Sequence, residues 1–171
     1  MSTMTAEPRT VGELRQAARA IAAAVLDEHW DEGTLPIDPV VVSRRLGLEM
    51  FTAQLGNDVS GMLVGDASGA RAYLDVDQPP TRARFTAAHE LGHYVDRSSR
   101  LDGDIAYVDR RSDEGRGTRD EIWANEFAGN LLMPERQVRR FVELGKTDVQ
   151  MAQEFGVSLS ALSYRLQVLG L

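Results

Sequence analysis

The sequence predicts an α+β fold, mainly helical, with a small antiparallel three-stranded sheet and a helix-turn-helix-like segment at its C-terminal end. Three observations carry that reading. Apolar residues recur at helical spacing through most of the chain. Between Leu48 and Val76 the pattern changes to short runs rich in β-branched and aromatic residues, and clusters of Gly, Pro and Asp separate the runs. With 171 residues, 43% of them hydrophobic and 26% charged, the chain supports one hydrophobic core but not two large independent domains.

The first ten residues are polar and contain Pro8, so residues 1–10 are expected to form a mobile arm. From Val11 to Trp30 the positions Leu14, Ala17, Ala18, Ile21, Val25 and Leu26 make a helical stripe. "DEGTLPIDP" breaks it, and "PVVVSRRLGLEM" is a short helix closed by Gly47. The runs "LEMFTAQL", "VSGMLVG" and "ARAYLDV" follow as an antiparallel meander. A helix from about Arg82 to Arg97 comes next, with Thr81 as its N-cap. The stretch from Ser98 to Thr118 is rich in Asp, Arg, Ser and Gly and is expected to be a surface loop. A further helix spans Arg119 to Met133 and is stopped by Pro134, where another begins. Two short helices around "FGVS" complete the chain. The expected organisation is a core over residues 11–133 with a helical segment, 134–171, packed on it.

Composition narrows the function. A formal net charge of -7 and a pI near 5.0 disfavour a broad phosphate-binding surface and direct binding to DNA. Between Thr147 and Leu171 the only basic residue is Arg165, which leaves the last helix little with which to grip a phosphate backbone. No cysteine is present, so a disulfide framework is impossible and any metal must be held by nitrogen and oxygen. Neither a signal peptide nor an apolar run of membrane-spanning length occurs, so a cytoplasmic protein with no membrane partner is expected.

The chain has three histidines, and two of them lie in "RFTAAHELGHYVDR". On a helix, residues four apart differ by about 40° in phase, so His89 and His93 can aim at one point. Glu90 leaves the helix about 100° away, too far to be an equivalent ligand but well placed to reach a water beside a metal. By spacing alone such a pair is either a metal site or a chance arrangement on a helix surface. Gly92 points to another backbone close by, because glycine inside a helix costs about 1 kcal/mol relative to alanine. His29, at the end of the first helix, suits that helix's C-terminus better than a site. A third ligand must then be a carboxylate. In "RDEIWANEFAGNLLMP" Glu121 shares a stripe with Ala124, Asn125 and Ala128, small residues that allow close helix packing. Glu126 points about 140° away, and Asp120, shorter and in the first turn, suits the helix N-terminus.

"RARFTAAHELGHYVD" followed by "DEIWANEFAGNLLMP" closely resembles the ImmA/IrrE family of bacterial and phage zinc metallopeptidases. The likeness extends over roughly Leu35 to Pro134, including "VSGMLV". It implies a gluzincin-like metallopeptidase domain over residues 11–133 that binds one zinc ion per chain through His89, His93 and Glu121. It also implies Glu90 as the catalytic base and Asn125 as a residue steadying a ligand. Asp96 stands near where many members carry a further histidine, at a position that is not a ligand. The implied activity is site-specific cleavage of a helix-turn-helix repressor, which makes the protein an anti-repressor or a regulator of stress genes or mobile elements. The alternative is a zinc-binding module that sequesters a repressor or a toxin-antitoxin-type partner without cutting it. A group stabilising the oxyanion is expected, with Tyr73, Tyr94 and Tyr107 all conceivable. The strand "ARAYLDV" is a candidate sheet edge for an extended substrate.

Overall fold

A computed structural model describes residues 10–56, 58–98, 105–110 and 117–171, with residues 105–110 described by their backbone. The expected arm at residues 1–9 lies outside the described residues, and Thr10 belongs to the first helix as its N-cap. Helix α1 spans Val11–His29, where the Thr10 side chain caps the Glu13 amide and the Glu13 side chain reaches back to the Thr10 backbone. Its buried face is Leu14, Ala18, Ala22 and Val25, while Ile21 is 41% exposed. The stripe is therefore rotated relative to the sequence expectation, placing small alanines where α1 meets its neighbour. Helix α2, Pro39–Arg45, is capped by Asp38 and closed by Gly47 in the left-handed region.

Strands β1 (Leu48–Ala53), β2 (Val59–Asp66), β3 (Gly69–Asp75) and β4 (Ile105–Arg110) form one mixed sheet in the order β1-β3-β2-β4. The α+β, mainly helical class is as expected, but the meander is not. β1 pairs with β3 in parallel, Leu48 opposite Ala70 and Thr52 opposite Leu74, and only β2 and β3 form an antiparallel hairpin. The chain leaves β1, passes over the β3 position and returns to fill it from the far side. Inward-facing Leu48, Leu63, Ala72 and Leu74 come from three strands, so this order places their apolar faces together. The stretch expected to be a loop between Ser98 and Thr118 contains β4, which pairs antiparallel with β2. Within the same stretch, residues 99–104 and 111–116 lie outside the described residues.

Helix α3, Pro80–Ser98, crosses the inner face of the sheet and is buried on all sides from Thr86 to His93. Helix α4, Arg119–Leu132, lies along it. The contact is close because of Gly92: a Cβ there would sit 3.2 Å from the Ala124 Cα and 3.1 Å from a Phe127 ring carbon. The close backbone approach expected at Gly92 is thus supplied by α4. On its other side α4 packs on α1, and Arg19 of α1 donates to Glu126 at 2.7 Å.

The C-terminal segment comprises α5 (Glu135–Glu143), α6 (Asp148–Phe155) and α7 (Leu159–Leu169), with α6 ending at left-handed Gly156. The hydrophobic core runs without a break from Leu14 to Leu162, and Phe141 and Phe155 face each other at 5.2 Å. Two arginines tie this segment to the rest. Arg84 of α3 donates to the carbonyls of Gly156, at 3.1 Å, and Ile37. Arg165 of α7, 3% exposed, donates to the Met133 carbonyl at 3.0 Å and to Asn130 at 2.8 Å. The one basic side chain of the last two helices is thus turned inward. Among the described residues no helix is long and apolar enough to cross a membrane.

Candidate metal centre

A helix buried on every side is normally apolar throughout, yet α3 carries His89, Glu90 and His93 through its most enclosed turns, with exposures of 4%, 0% and 1%. Buried polar groups of this kind are retained where partners satisfy them. The partner comes from α4. Thr118 caps that helix at the Glu121 amide, fixing its first turn, and so places the Glu121 side chain over the histidine pair. His93 Nε2 lies 3.0 Å from Glu121 Oε1, His89 Nε2 lies 3.4 Å from Glu121 Oε2, and the two Nε2 atoms are 3.0 Å apart.

These distances fit a divalent ion. Bonds of about 2.0–2.1 Å at a tetrahedral centre place ligand atoms about 3.3 Å from one another, close to the observed triangle. The donor chemistry agrees. His89 Nδ1 is 3.0 Å from Asn125 Oδ1, an acceptor, so Nδ1 carries the proton and the Nε2 lone pair faces inward. Burial holds His93 below its ordinary value of 6.5, partly offset by its hydrogen bond to Glu121, and so favours the neutral ring. Burial alone would raise the Glu121 carboxyl, but hydrogen bonds and charge from His89 and His93 outweigh it and bring it from 4.5 to about 2. An ionised Glu121 carboxylate and a His93 ring held toward its neutral form are protonation states in which these side chains bind metal. Among the described residues, this is the one group of three or more His, Cys, Asp or Glu side chains able to hold an ion.

The two acids weighed against Glu121 have other partners. Asp120 pairs with Arg97 at 3.3 Å, and Glu126 faces Arg15 and Arg19 on α1. His29 lies beside Glu28, 3.8 Å away. Of the tyrosines considered for the oxyanion, Tyr94 donates to the Leu46 carbonyl at 3.1 Å, and Tyr73 stacks on Phe51 at 5.7 Å. Tyr107 is on β4, whose side chains are outside the described residues. The strand "ARAYLDV" is not an edge: β3 is hydrogen-bonded to β1 on one side and β2 on the other, which removes it as a docking strand.

One neighbour of the site escaped the sequence reading. A Cβ on Gly61 of β2 would lie 2.2 Å from Glu90 Oε1 and 2.9 Å from its Cδ, so the Glu90 carboxylate rests directly on the Gly61 backbone. The available signal was a glycine inside a strand, which often marks close approach by another group.

Comparison with known proteins places the chain in a family. No curated protein matches the chain. Among solved structures, a Mycobacterium tuberculosis transcriptional regulator superposes with a TM-score of 0.58 at 21% identity over 91% of this chain. This chain spans 46% of that protein's length, and the likeness is one of fold. The IrrE N-terminal-like domain, a peptidase family, matches residues 43–167, a span holding α3, α4, the sheet from Leu48 onward and most of the C-terminal helices. With the histidine pair, Glu121 and Asn125 all inside that span, the chain belongs to the IrrE N-terminal-like peptidase family.

Proposed function

We propose that this protein is a zinc-dependent endopeptidase of the cytoplasm that cuts a helix-turn-helix transcriptional repressor at a specific site and so relieves repression. The observation that carries the reading is the buried His89–His93–Glu121 triangle with Glu90 on the same helix, in a chain of a peptidase family. His89, His93 and Glu121 would hold one zinc ion, with Asn125 fixing the His89 ring. When bound, the ion would supply Lewis-acid polarisation of a carbonyl and acidify water. Glu90 would act as the general base, taking a proton from the attacking water and returning it to the departing amine. Residues 11–133 carry the chemistry, and 134–171, locked to them through Arg84 and Arg165, shape the approach of a protein partner. Two features support a protein substrate over direct reading of DNA: the net charge of -7 and the inward-turned Arg165.

The test is a pull-down from the native host with Glu90→Ala as a metal-loaded trap beside the wild type, with captured proteins identified by mass spectrometry. A repressor held whole by the trap and recovered cut at one bond with the wild type supports the proposal. The same partner held whole by both would replace it with sequestration.

A further inference from the structure

Gly61 does not owe its identity to backbone conformation, since its φ lies outside the left-handed region that eight other glycines among the described residues occupy. Space is the reason. The three heavy atoms nearest to its would-be Cβ all belong to Glu90. The strand is also distorted at this point. Val59 pairs with Arg110 and Gly61 with Asp109, two steps along β2 against one along β4, so Ser60 is the extra residue of a bulge. The carbonyl of that bulged residue accepts from Gln78 Nε2 at 2.9 Å. Gln78 Oε1 in turn accepts from the Thr86 hydroxyl at 2.8 Å. Thr86 is on α3 one turn before Glu90, so its side chain and that of Glu90 share a face. Gln78 therefore bridges the bulge of β2 to the helix that carries Glu90, and the bridge holds the Ser60–Gly61 peptide against that carboxylate.

We infer that the Ser60 bulge, Gly61 and Gln78 form a seat that sets where the Glu90 carboxylate stands, making Gly61 and Gln78 positioning residues; this rests on Glu90 being the base proposed above. A methyl group at 61 displaces the carboxylate, because the side-chain end can move whereas the strand is paired on both sides. Displacement of a reacting group by about 1 Å can cost on the order of 10²-fold in rate.

The test uses the cobalt(II)-substituted protein, whose visible absorption band responds to groups beside the ion. Gly61→Ala is expected to bind one equivalent of cobalt, shift the band when Glu90 is present and leave it unchanged in a Glu90→Ala background. On the partner substrate, kcat is expected to fall on the order of 10²-fold with KM within about twofold. Gln78→Ala, which keeps Gly61, gives the same pattern at smaller size and carries the test if Gly61→Ala shows no cooperative melting. A band that ignores Gly61→Ala and Gln78→Ala, or shifts equally with and without Glu90, overturns the inference. Coupling of the band through Glu90 in a protein that cuts no partner would sink the protease reading and leave the seat standing. Failure to bind cobalt would overturn both.

Discussion

Replacing Asn125 by alanine is expected to weaken zinc binding by roughly 10- to 100-fold while leaving the fold intact. The magnitude follows from the tautomer. In the metal-bound state His89 must keep its proton on Nδ1, 3.0 Å from Asn125 Oδ1, in a side chain 4% exposed. Without metal, the proton can move to Nε2 and face the Glu121 carboxylate, whose Oε2 is 3.4 Å away. Deleting the Asn125 acceptor therefore penalises the metal-bound state more than the metal-free one, in which the proton has a second partner within reach. A buried donor that loses its acceptor costs about 1–3 kcal/mol, and about 1.4 kcal/mol is a factor of ten in affinity. Competition against a chromophoric chelator at neutral pH measures the ratio directly. Asn125→Asp restores an acceptor and should recover most of the affinity. Unchanged affinity in Asn125→Ala, or an equal loss in Asn125→Asp, would refute the reasoning.

Other expectations follow from the same geometry. Arg165→Met removes the donor shared by the Met133 carbonyl and Asn130 and should cost about 2–4 kcal/mol, read as a lower urea midpoint. Gly92→Val pushes atoms into the backbone of Ala124, which no rotamer can relieve, and should destabilise by about 3 kcal/mol in the same assay. Acidification should destabilise the metal-free protein in two stages. His93 is held below 6.5, so under that pH the unfolded chain takes up a proton that the folded chain resists, and stability falls as pH drops through 6.5. Glu121, held at about 2, contributes stability above 4.5 that is lost as pH falls from 4.5 toward 2. Melting temperatures across that range, which stayed flat or rose on acidification, would contradict both assignments.

The meeting of His89, His93 and Glu121 in one cluster could be read from residue spacing. The i, i+4 histidine pair needs only helical phase, and Glu121, Ala124, Asn125 and Ala128 needed only the same rule on a second helix. Even the preference for Glu121 over Asp120 rested on arm length, and Arg97 now supplies the physical partner that takes Asp120 away. The sheet was less legible. Neighbouring strands in a chain pair more often than not, so three short runs read as a meander, and nothing local to "LEMFTAQL" announces that it will lie parallel to "ARAYLDV". Strand β4 was hidden because "IAYVDR" is short and set between charged, glycine-bearing stretches. Gly61 was legible only as a weak point in a strand, since the group that needs its space is twenty-nine residues further along the chain and arrives through tertiary packing.

The most direct measurement is the intact mass of the purified partner after incubation with zinc-loaded protein, with the same protein stripped by chelator, and with Glu90→Ala. Two fragments summing to one hydrolysed bond, formed by the zinc-loaded wild type alone, are the predicted result. A partner that stays whole in all three, or one cut equally well by Glu90→Ala, would contradict a catalytic zinc centre built from His89, His93 and Glu121 with Glu90 as its base.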